Sequence, residues 1–253
     1  MWWKNMKIDH LVINVNKEIQ ENKETIKNVH SIGLPYVPKW GKGTKGFKVS
    51  NIWIGKEYLE LVRIKTKDGG GWVQEWVQKY CDGHRGLIGL AIDVENIDKV
   101  YGKMIEGGIG ITKPEPLQYK WFFNLFKKTM PWKNAYIQPM KGMPFQFFLQ
   151  QMDDQKSREY MEKYMYPNSL EQGITGINTV KLYGEITNED RDIISCLFSD
   201  VTNEEEEIVI RLNNQMIYLI QSDEHFTEII LDCKSEAHRE KKLNIENVTL
   251  INK

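Results

Sequence analysis

The start of the chain alternates apolar and polar positions in a way that predicts a strand, a helix and two further strands. In the first strand, Leu11, Ile13 and Val15 fall on one side. The helix that follows is polar with a few apolar residues at helical spacing, and the last two strands are separated by a connection of hairpin length. The predicted elements cover residues 7–15, 17–30, 47–54 and 58–64.

The same pattern returns twice. The segment 86–90 (GLIGL) opens a second copy, and the segment 173–177 (GITGI) echoes it as the start of a third. Asn96 is predicted to cap the helix of the second copy, and residues 187–190 form a capping box before the helix of the third. The predicted strands of these copies cover residues 134–138, 145–150, 207–212, 216–220 and 226–233, and residues 244–252 resemble the opening strand of a fourth copy.

These repeats predict an α+β fold of tandem βαβββ modules. Residues 1–152 are expected to hold two modules paired into a curled mixed sheet around a pocket, and residues 153–253 a third module with an extra strand. A half-sheet of this size must pair with another to bury its apolar face, which favours duplication of a compact unit. The alternative is an unrelated α+β fold in which the same order of elements arises by coincidence.

Strand parity predicts a second, more polar face on the paired modules, because successive side chains point to opposite sides of a strand. A polar sheet face is either exposed to solvent or lines a ligand cavity, since burying unpaired polar groups costs free energy. Two half-sheets that curl together favour the cavity. The predicted face comprises His10, Val12, Asn14, Tyr58, Glu60, Val62, Gly89, Ala91, Asp93, Gln146, Phe148 and Gln150.

Four segments together resemble the glyoxalase-like domain family. They are residues 8–15 (IDHLVINV), 55–61 (GKEYLEL), 86–92 (GLIGLAI) and 142–148 (GMPFQFF). The family belongs to the vicinal oxygen chelate superfamily, which includes glyoxalase I, extradiol dioxygenases and bleomycin-resistance proteins. The match covers residues 7–152 well and the last third of the chain more loosely.

The resemblance implies a metal site, because in metal-using members each module supplies ligands from its first and last strands. It places His10 and Glu60 in the first half of that site, and Gly89 and Gln146 in the second. Gly89 has no side chain and Gln146 is a neutral oxygen donor. The chain therefore departs from the family pattern in the second module.

His10 and Glu60 are the predicted catalytic residues, with two alternatives for how they work. As a metal half-site, their imidazole nitrogen and carboxylate oxygen suit Zn²⁺, Fe²⁺, Ni²⁺ or Mn²⁺. Without a metal, Glu60 would hydrogen-bond His10 and fix its tautomer, and the imidazole would act as a general base.

The function implied by the resemblance is that of a lyase or isomerase acting on a small oxygenated metabolite. The alternative is a non-catalytic, metal-free protein of the resistance type, which sequesters a ligand by stacking it on aromatic rings. The predicted ligand-binding residues are Asn14, Trp53, Tyr58, Asp93, Gln146 and Phe148.

Two aromatic segments and a glutamate of the third copy carry further predictions. Residues 119–132 are aromatic and basic, and are predicted to form either a lid over an apolar or anionic ligand, or else a surface helix or a contact between modules. Trp72, Trp76 and Tyr80 recur every fourth residue, as in a helix that faces a core. Glu228 is predicted to be the counterpart of Glu60 in a third copy with a structural role.

The amino-acid composition of the chain limits the kinds of molecule that it is expected to bind. A net charge of −1 over 253 residues gives no long-range attraction to nucleic acid or an anionic membrane. No stretch reaches 18 apolar residues, residues 1–7 lack the features of a secretion signal, and three dispersed cysteines form no disulfide pattern. These features predict a cytoplasmic bacterial protein with a small-molecule ligand. The unpaired module further predicts a homodimer.

Overall fold

A computed structural model describes residues 5–121 and 126–253, and the side chains of residues 119–128 lie outside that description. The first four residues, part of the stretch in which no secretion signal is predicted, also lie outside it. The first module has the predicted order, and its third strand has the predicted bounds. Its elements are β1 (Lys7–Asn14), α1 (Lys17–Glu21), α2 (Lys23–Ser31), β2 (Lys42–Gly43), β3 (Phe47–Ile54) and β4 (Glu57–Ile64).

A linker that contains α3 (Gln74–Cys81) leads into the second module, and a linker with α5 (Gln155–Glu162) leaves it. Asn96 caps the module's helix as predicted, because its side chain accepts the N–H of Lys99 at 3.0 Å. The module comprises β5 (Gly86–Asp93), α4 (Ile97–Glu106), β6 (Glu115–Trp121), β7 (Phe126–Tyr136) and β8 (Gln146–Met152).

Strands β6 and β7 form an antiparallel hairpin, so the surface helix considered for residues 119–132 is wrong. The lid alternative depends on residues 122–125 and on the side chains of 119–128, which lie outside the described residues.

The C-terminal half begins with β9 (Ile174–Gly184) and α6 (Asn188–Leu197). The predicted capping box is confirmed, because the Thr187 side chain accepts the N–H of Asp190 while the Asp190 side chain accepts that of Thr187. The remaining strands are β10 (Val201–Asn203), β11 (Glu207–Arg211), β12 (Met216–Gln221), β13 (Phe226–Cys233), β14 (Lys242–Ile245) and β15 (Val248–Asn252).

The strands form two mixed sheets with matching topology. The first has the order β2-β3-β4-β1-β5-β8-β7-β6, and the second β10-β11-β12-β9-β13-β15-β14. In both sheets the opening strand of one module pairs antiparallel with the opening strand of the next, as β1 does with β5 and β9 with β13. The predicted fold of paired modules in a curled mixed sheet is confirmed.

This topology corrects the assignment of strands in the C-terminal half. Strand β13 was predicted to close the third module, and it instead opens the fourth, because it pairs antiparallel with β9 and parallel with β15. The tail strand β15 closes that module rather than opening it. Residues 234–241, where a module would have its helix, form turns. Alternation along a strand reveals its two faces and says nothing of which neighbour it pairs with.

One apolar core serves both sheets. It joins Leu11 and Leu90 of the first sheet with Val180 and Ile229 of the second, and the helices contribute to it. A second and smaller apolar cluster, which includes Val12, lies on the opposite face of the first sheet. We call the face of each sheet that points away from the shared core its outer face. Within the described part of the chain, no helix combines the length and the apolar character needed to cross a bilayer.

Candidate functional site

The outer face of the first sheet carries the predicted site residues. Val12 pairs with Glu60 on one side and with Gly89 on the other, while His10 pairs with Tyr58 and Ala91. His10 and Val12 are two residues apart on one strand, so their side chains share a face. His10 and Glu60 therefore lie on neighbouring strands of the same face, in diagonal positions, as strand parity predicts.

His10 is held on this face by a carboxylate and two rings. Its Nδ1 lies 2.6 Å from Oδ1 of Asp9, its ring stacks on Tyr58 at 4.3 Å, and Phe148 meets it edge-on at 5.3 Å. The register shifts at Asp9, between Ile8 and His10. Such a bulge re-aims side chains locally, which explains why two consecutive residues can bond to each other.

The partner of His10 is thus Asp9 and not Glu60, which corrects the predicted pair. Among the described residues, no hydrogen bond joins His10 to Glu60. Sequence reasoning missed Asp9 because regular strand geometry sends consecutive side chains to opposite faces. The adjacent aspartate and histidine in the first motif were the available signal.

Glu60 is half-buried on this face. Burial raises the pKa of Glu60, the negative charge of Asp9 adds to the rise, and the neighbouring His10 opposes it. Across the strand pair lies Asn51, whose Oδ1 is buried without a partner among the described residues. Glu60 therefore retains its proton to higher pH than an exposed glutamate does.

Strand register shows which residues take the metal-ligand positions of the second module. Gly89 occupies the place that His10 has in the first module, since His10 pairs with Ala91 while Gly89 pairs with Val12. In the parallel ladders His10 pairs with Tyr58, and Gly89 with Gln146. The counterpart of Glu60 is therefore two residues beyond Gln146, at Phe148. The implied ligand Gln146 is the counterpart of Tyr58.

Trp76 fills the space beside Gly89. A Cβ atom on Gly89 would lie 2.6 Å from Cη2 of this indole, which is too close for any side chain without rearrangement. The indole Nε1 donates to Oε1 of Gln146 at 2.8 Å. The four positions that would supply metal ligands are His10, Glu60, Gly89 and Phe148, and only the first two have a side-chain atom that can bind a metal. The described residues hold no cluster of three or more metal-ligating side chains. This donor set does not fit a resident metal.

Helix α3 brings Trp76 into this place. The aromatic stripe of the linker does face an apolar cluster, as predicted, but that cluster is on the outer face rather than in the main core. Part of the predicted hollow is therefore filled by the protein itself. The buried members of the cluster are Val12, Phe47, Val62, Ile64, Trp76, Val77, Ile88, Ala91 and Phe148.

A narrow cleft remains at the other end of the outer face. Asp9, Tyr58 and Gln150 line it from the sheet, and Arg158 and Met161 line it from α5. Its cavity volume of about 30 Å³ is enough for a water molecule or two. The floor of the cleft thus includes the carboxylate that holds His10 and the ring that stacks on it.

Helix α5 closes the cleft through two ion-pair contacts. The Arg158 guanidinium lies 2.9 and 2.8 Å from the two oxygens of Asp93, and Lys56 lies 3.2 Å from Glu162. None of the residues of α5 is fully buried. The helix is therefore held by one exposed ion pair and by one that ties it to the buried carboxylate of Asp93.

The other predicted ligand-binding residues fall in three groups. Trp53 packs on Tyr58 at 4.7 Å and so joins the rings around His10. Gln146 is occupied by Trp76 and by the carbonyl of Ile137. Asn14 is fully buried away from solvent, and neither atom of its amide has a partner among the described residues.

Comparison with known proteins places this geometry in a family. A family model for the glyoxalase-like domain matches residues 8–190. The chain belongs to the glyoxalase-like domain family. Among curated proteins, none matches this family member.

Three solved structures are similar to this glyoxalase-like protein. A hypothetical protein from Staphylococcus aureus has 14% identity and a TM-score of 0.71, with 98% of both chains covered. A mutant 4-hydroxymandelate synthase from Streptomyces coelicolor has 12% identity and a TM-score of 0.51, covering 92% of this chain and 71% of that one. Methylmalonyl-CoA epimerase from Streptomyces coelicolor has 15% identity and a TM-score of 0.40, covering 58% of this chain and 94% of that one.

Proposed function

We propose that this glyoxalase-like protein binds a small oxygenated organic molecule in the cleft beneath α5. It acts on that molecule without a metal, as an isomerase or lyase that moves a proton. The observation that carries the proposal is the 2.6 Å contact between His10 and Asp9, the carboxylate that lines the cleft.

This contact prepares His10 to accept a proton. The Asp9 carboxylate takes the Nδ1–H bond and so holds the imidazole in one tautomer, in which Nε2 has the free electron pair. Among the described residues, Nε2 has no hydrogen-bond partner. His10 can then remove a proton beside a carbonyl group, and Glu60, whose pKa is raised by burial, can supply one to the oxygen.

A ligand needs more room than the cleft offers, so α5 has to move for it to bind. The helix buries no residue fully, and its ion pair with Lys56 is exposed and costs little to break. The pair between Arg158 and the buried carboxylate of Asp93 costs more to break, so the ligand has to compensate for its loss. Displacement of α5 would open the face of Tyr58 and the edge of the Asp9–His10 pair. This is the gating role that lids have in many enzymes.

A second candidate function is ligand sequestration. The ring of Tyr58 stacks on His10, and Trp53 packs tilted against it, so that an aromatic surface is available for a planar or apolar ligand. In this alternative the same cleft binds the molecule and no proton is moved.

Proton exchange distinguishes the two functions. Small 2-oxo acids and aldehydes are incubated with the protein in D₂O, and loss of the C–H signal next to the carbonyl is followed by NMR. We expect exchange with wild type, at least 100-fold less with His10→Ala, and an intermediate rate with Asp9→Asn. Binding without exchange supports sequestration, and absence of both overturns the proposal.

Metal content tests the metal-free part. Protein purified without chelator or histidine tag is expected to hold well under one equivalent of Zn, Fe, Ni or Mn by plasma mass spectrometry. Stoichiometric metal that is lost in both His10→Ala and Glu60→Ala would contradict it.

The predicted homodimer is tested by sedimentation at micromolar concentration.

A further inference from the structure

Glu57 of the first sheet and Gln215, which lies just before β12 of the second, each reach across to the other sheet. Glu57 precedes Tyr58, the partner of His10, and Gln215 precedes Met216, the partner of Thr179. The strand register shifts before both His10 and Thr179. Glu57 and Gln215 are therefore counterparts in the two halves of the molecule.

Each of them binds the backbone of the opposite sheet beside its bulge. Gln215 Oε1 accepts the N–H of Ile8 at 2.7 Å, and Glu57 Oε2 accepts the N–H of Ile177 at 3.1 Å. Gln215 also donates its Nε2–H to the carbonyl of Ile177 at 2.9 Å. The side chain of Gln215 thus spans from the bulge of the second sheet to the bulge of the first.

Ile8 directly precedes the bulged residue Asp9. A bulge interrupts the ladder of backbone hydrogen bonds, and a buried N–H left without an acceptor is costly. Ile8 is fully buried and Gln215 is 8% exposed, so water is a poor substitute for the amide oxygen. The second sheet therefore supplies the acceptor that holds the chain in place one residue before the Asp9–His10 pair.

We infer that Gln215 is a positioning residue for the Asp9–His10 pair, through its hydrogen bond to Ile8. The inference rests on the proposed function in one respect, namely that this pair handles the proton. By this arrangement the C-terminal half contributes to the site in the N-terminal half without touching a ligand.

The test reads the tautomer of His10 directly. Ring nitrogens of the five histidines are observed in long-range ¹H–¹⁵N spectra of labelled full-length protein, and His10 is assigned with His10→Gln. Wild type should show two well-separated ring nitrogens for His10, as a single tautomer does. In Gln215→Ala we expect the two resonances to move towards each other, because loss of the Ile8 contact loosens Asp9.

Three further variants keep the test decisive. Gln215→Glu retains an acceptor for Ile8 and should keep the wild-type spectrum of His10. Gln215→Met has similar length and no such acceptor, and replaces the alanine variant if that one does not fold. Asn252→Ala removes another fully buried amide, which donates to the Ile32 carbonyl at 2.8 Å, and should lower stability without changing His10.

An unchanged His10 spectrum in folded Gln215→Ala and Gln215→Met overturns the inference, as does an equal change in Asn252→Ala. The readout needs no ligand, so its outcome is independent of the exchange experiment. A shifted spectrum without any proton exchange in wild type would remove the proposed function and leave the positioning role in place.

Discussion

The outer faces of the two sheets are built on matching strand orders, but one face is covered by helices and the other is partly exposed. In the first sheet α3 and α5 cover the face, and His10, Trp76 and Phe148 are nearly inaccessible to solvent. In the second sheet the corresponding face stays partly open, with the side chains of Lys181 and Glu228 33% and 27% exposed. The covering segments belong to the linkers around the second module, whereas β12 and β13 of the second sheet are joined by a short connection without a helix.

This difference decides the chemistry of each face. Glu60 is half-buried, and burial raises its pKa. Glu228 lies 4.0 Å from Lys181 and accepts a hydrogen bond from the Tyr183 hydroxyl at 3.2 Å, so it is satisfied without a ligand. By register Glu228 is the counterpart of Gly89, while Tyr218 is that of Glu60, which corrects the predicted equivalence. Two matching strand orders thus yield one face that helices cover and one that is partly solvated.

The largest contrast is expected from removing an aromatic ring on each face. Trp76→Ala should lower the free energy of unfolding by about 3–5 kcal/mol, because a large buried ring leaves a cavity. Tyr218→Ala on the half-exposed second face should cost about 1 kcal/mol or less. Urea denaturation followed by circular dichroism measures both, and equal losses would show that the two faces are covered alike.

Of the two side chains that cross between the sheets, Glu57 should make the stability of the protein depend on pH, and Gln215 should not. Burial raises the pKa of Glu57 to about 7, above its ordinary value of 4.5. The folded state then binds the proton more tightly than the unfolded state, so stability is greatest below pH 4.5 and falls as pH rises towards 7. Glu57→Gln, which copies its counterpart Gln215, should remove this loss.

We expect Glu57→Gln to stabilise the protein at pH 8 by about 2 kcal/mol and to change it little at pH 5. The measurement is the urea midpoint of both proteins across this range. A variant that is less stable at pH 8 would mean that the charged carboxylate is the better acceptor for Ile177.

A methyl group at Gly89 tests how tightly the first face is filled. Gly89→Ala should destabilise by about 1–3 kcal/mol, because its Cβ would clash with the rigid Trp76 indole. Gly102→Ala adds the same atom in α4, where nothing lies within 4 Å, and should stabilise by about 0.5–1 kcal/mol. If Gly89→Ala has no effect on thermal unfolding, α3 is loosely packed.

The smallest effect is expected from the ion pair of the second face. Lys181→Met should change stability by less than about 1 kcal/mol, and less still in 1 M salt, because the pair is half-exposed. The corresponding test on the first face is Arg158→Met, which frees one end of α5 and should increase ligand binding. A larger loss in Lys181→Met than in Trp76→Ala would reverse the comparison.

Much of the fold could be predicted from local pattern. Alternation at Leu11, Ile13 and Val15 placed His10 on the opposite face, and the caps at Asn96 and Thr187 marked where helices begin. These features depend on residues close in sequence, whose geometry is nearly fixed by the backbone. The site was predicted less fully, because Asp9 reaches His10 only through a bulge, and a bulge is not visible in an alternating pattern.

Periodicity and repeated motifs along the chain are enough to predict paired βαβββ modules, because they specify faces and order. The folded structure was needed to show that Phe148 rather than Gln146 is the counterpart of Glu60, and that Trp76 occupies the space beside Gly89. Those outcomes depend on strand register and on a linker folding back across the sheet. Both are contacts between distant residues, whose energies are not encoded in any local pattern.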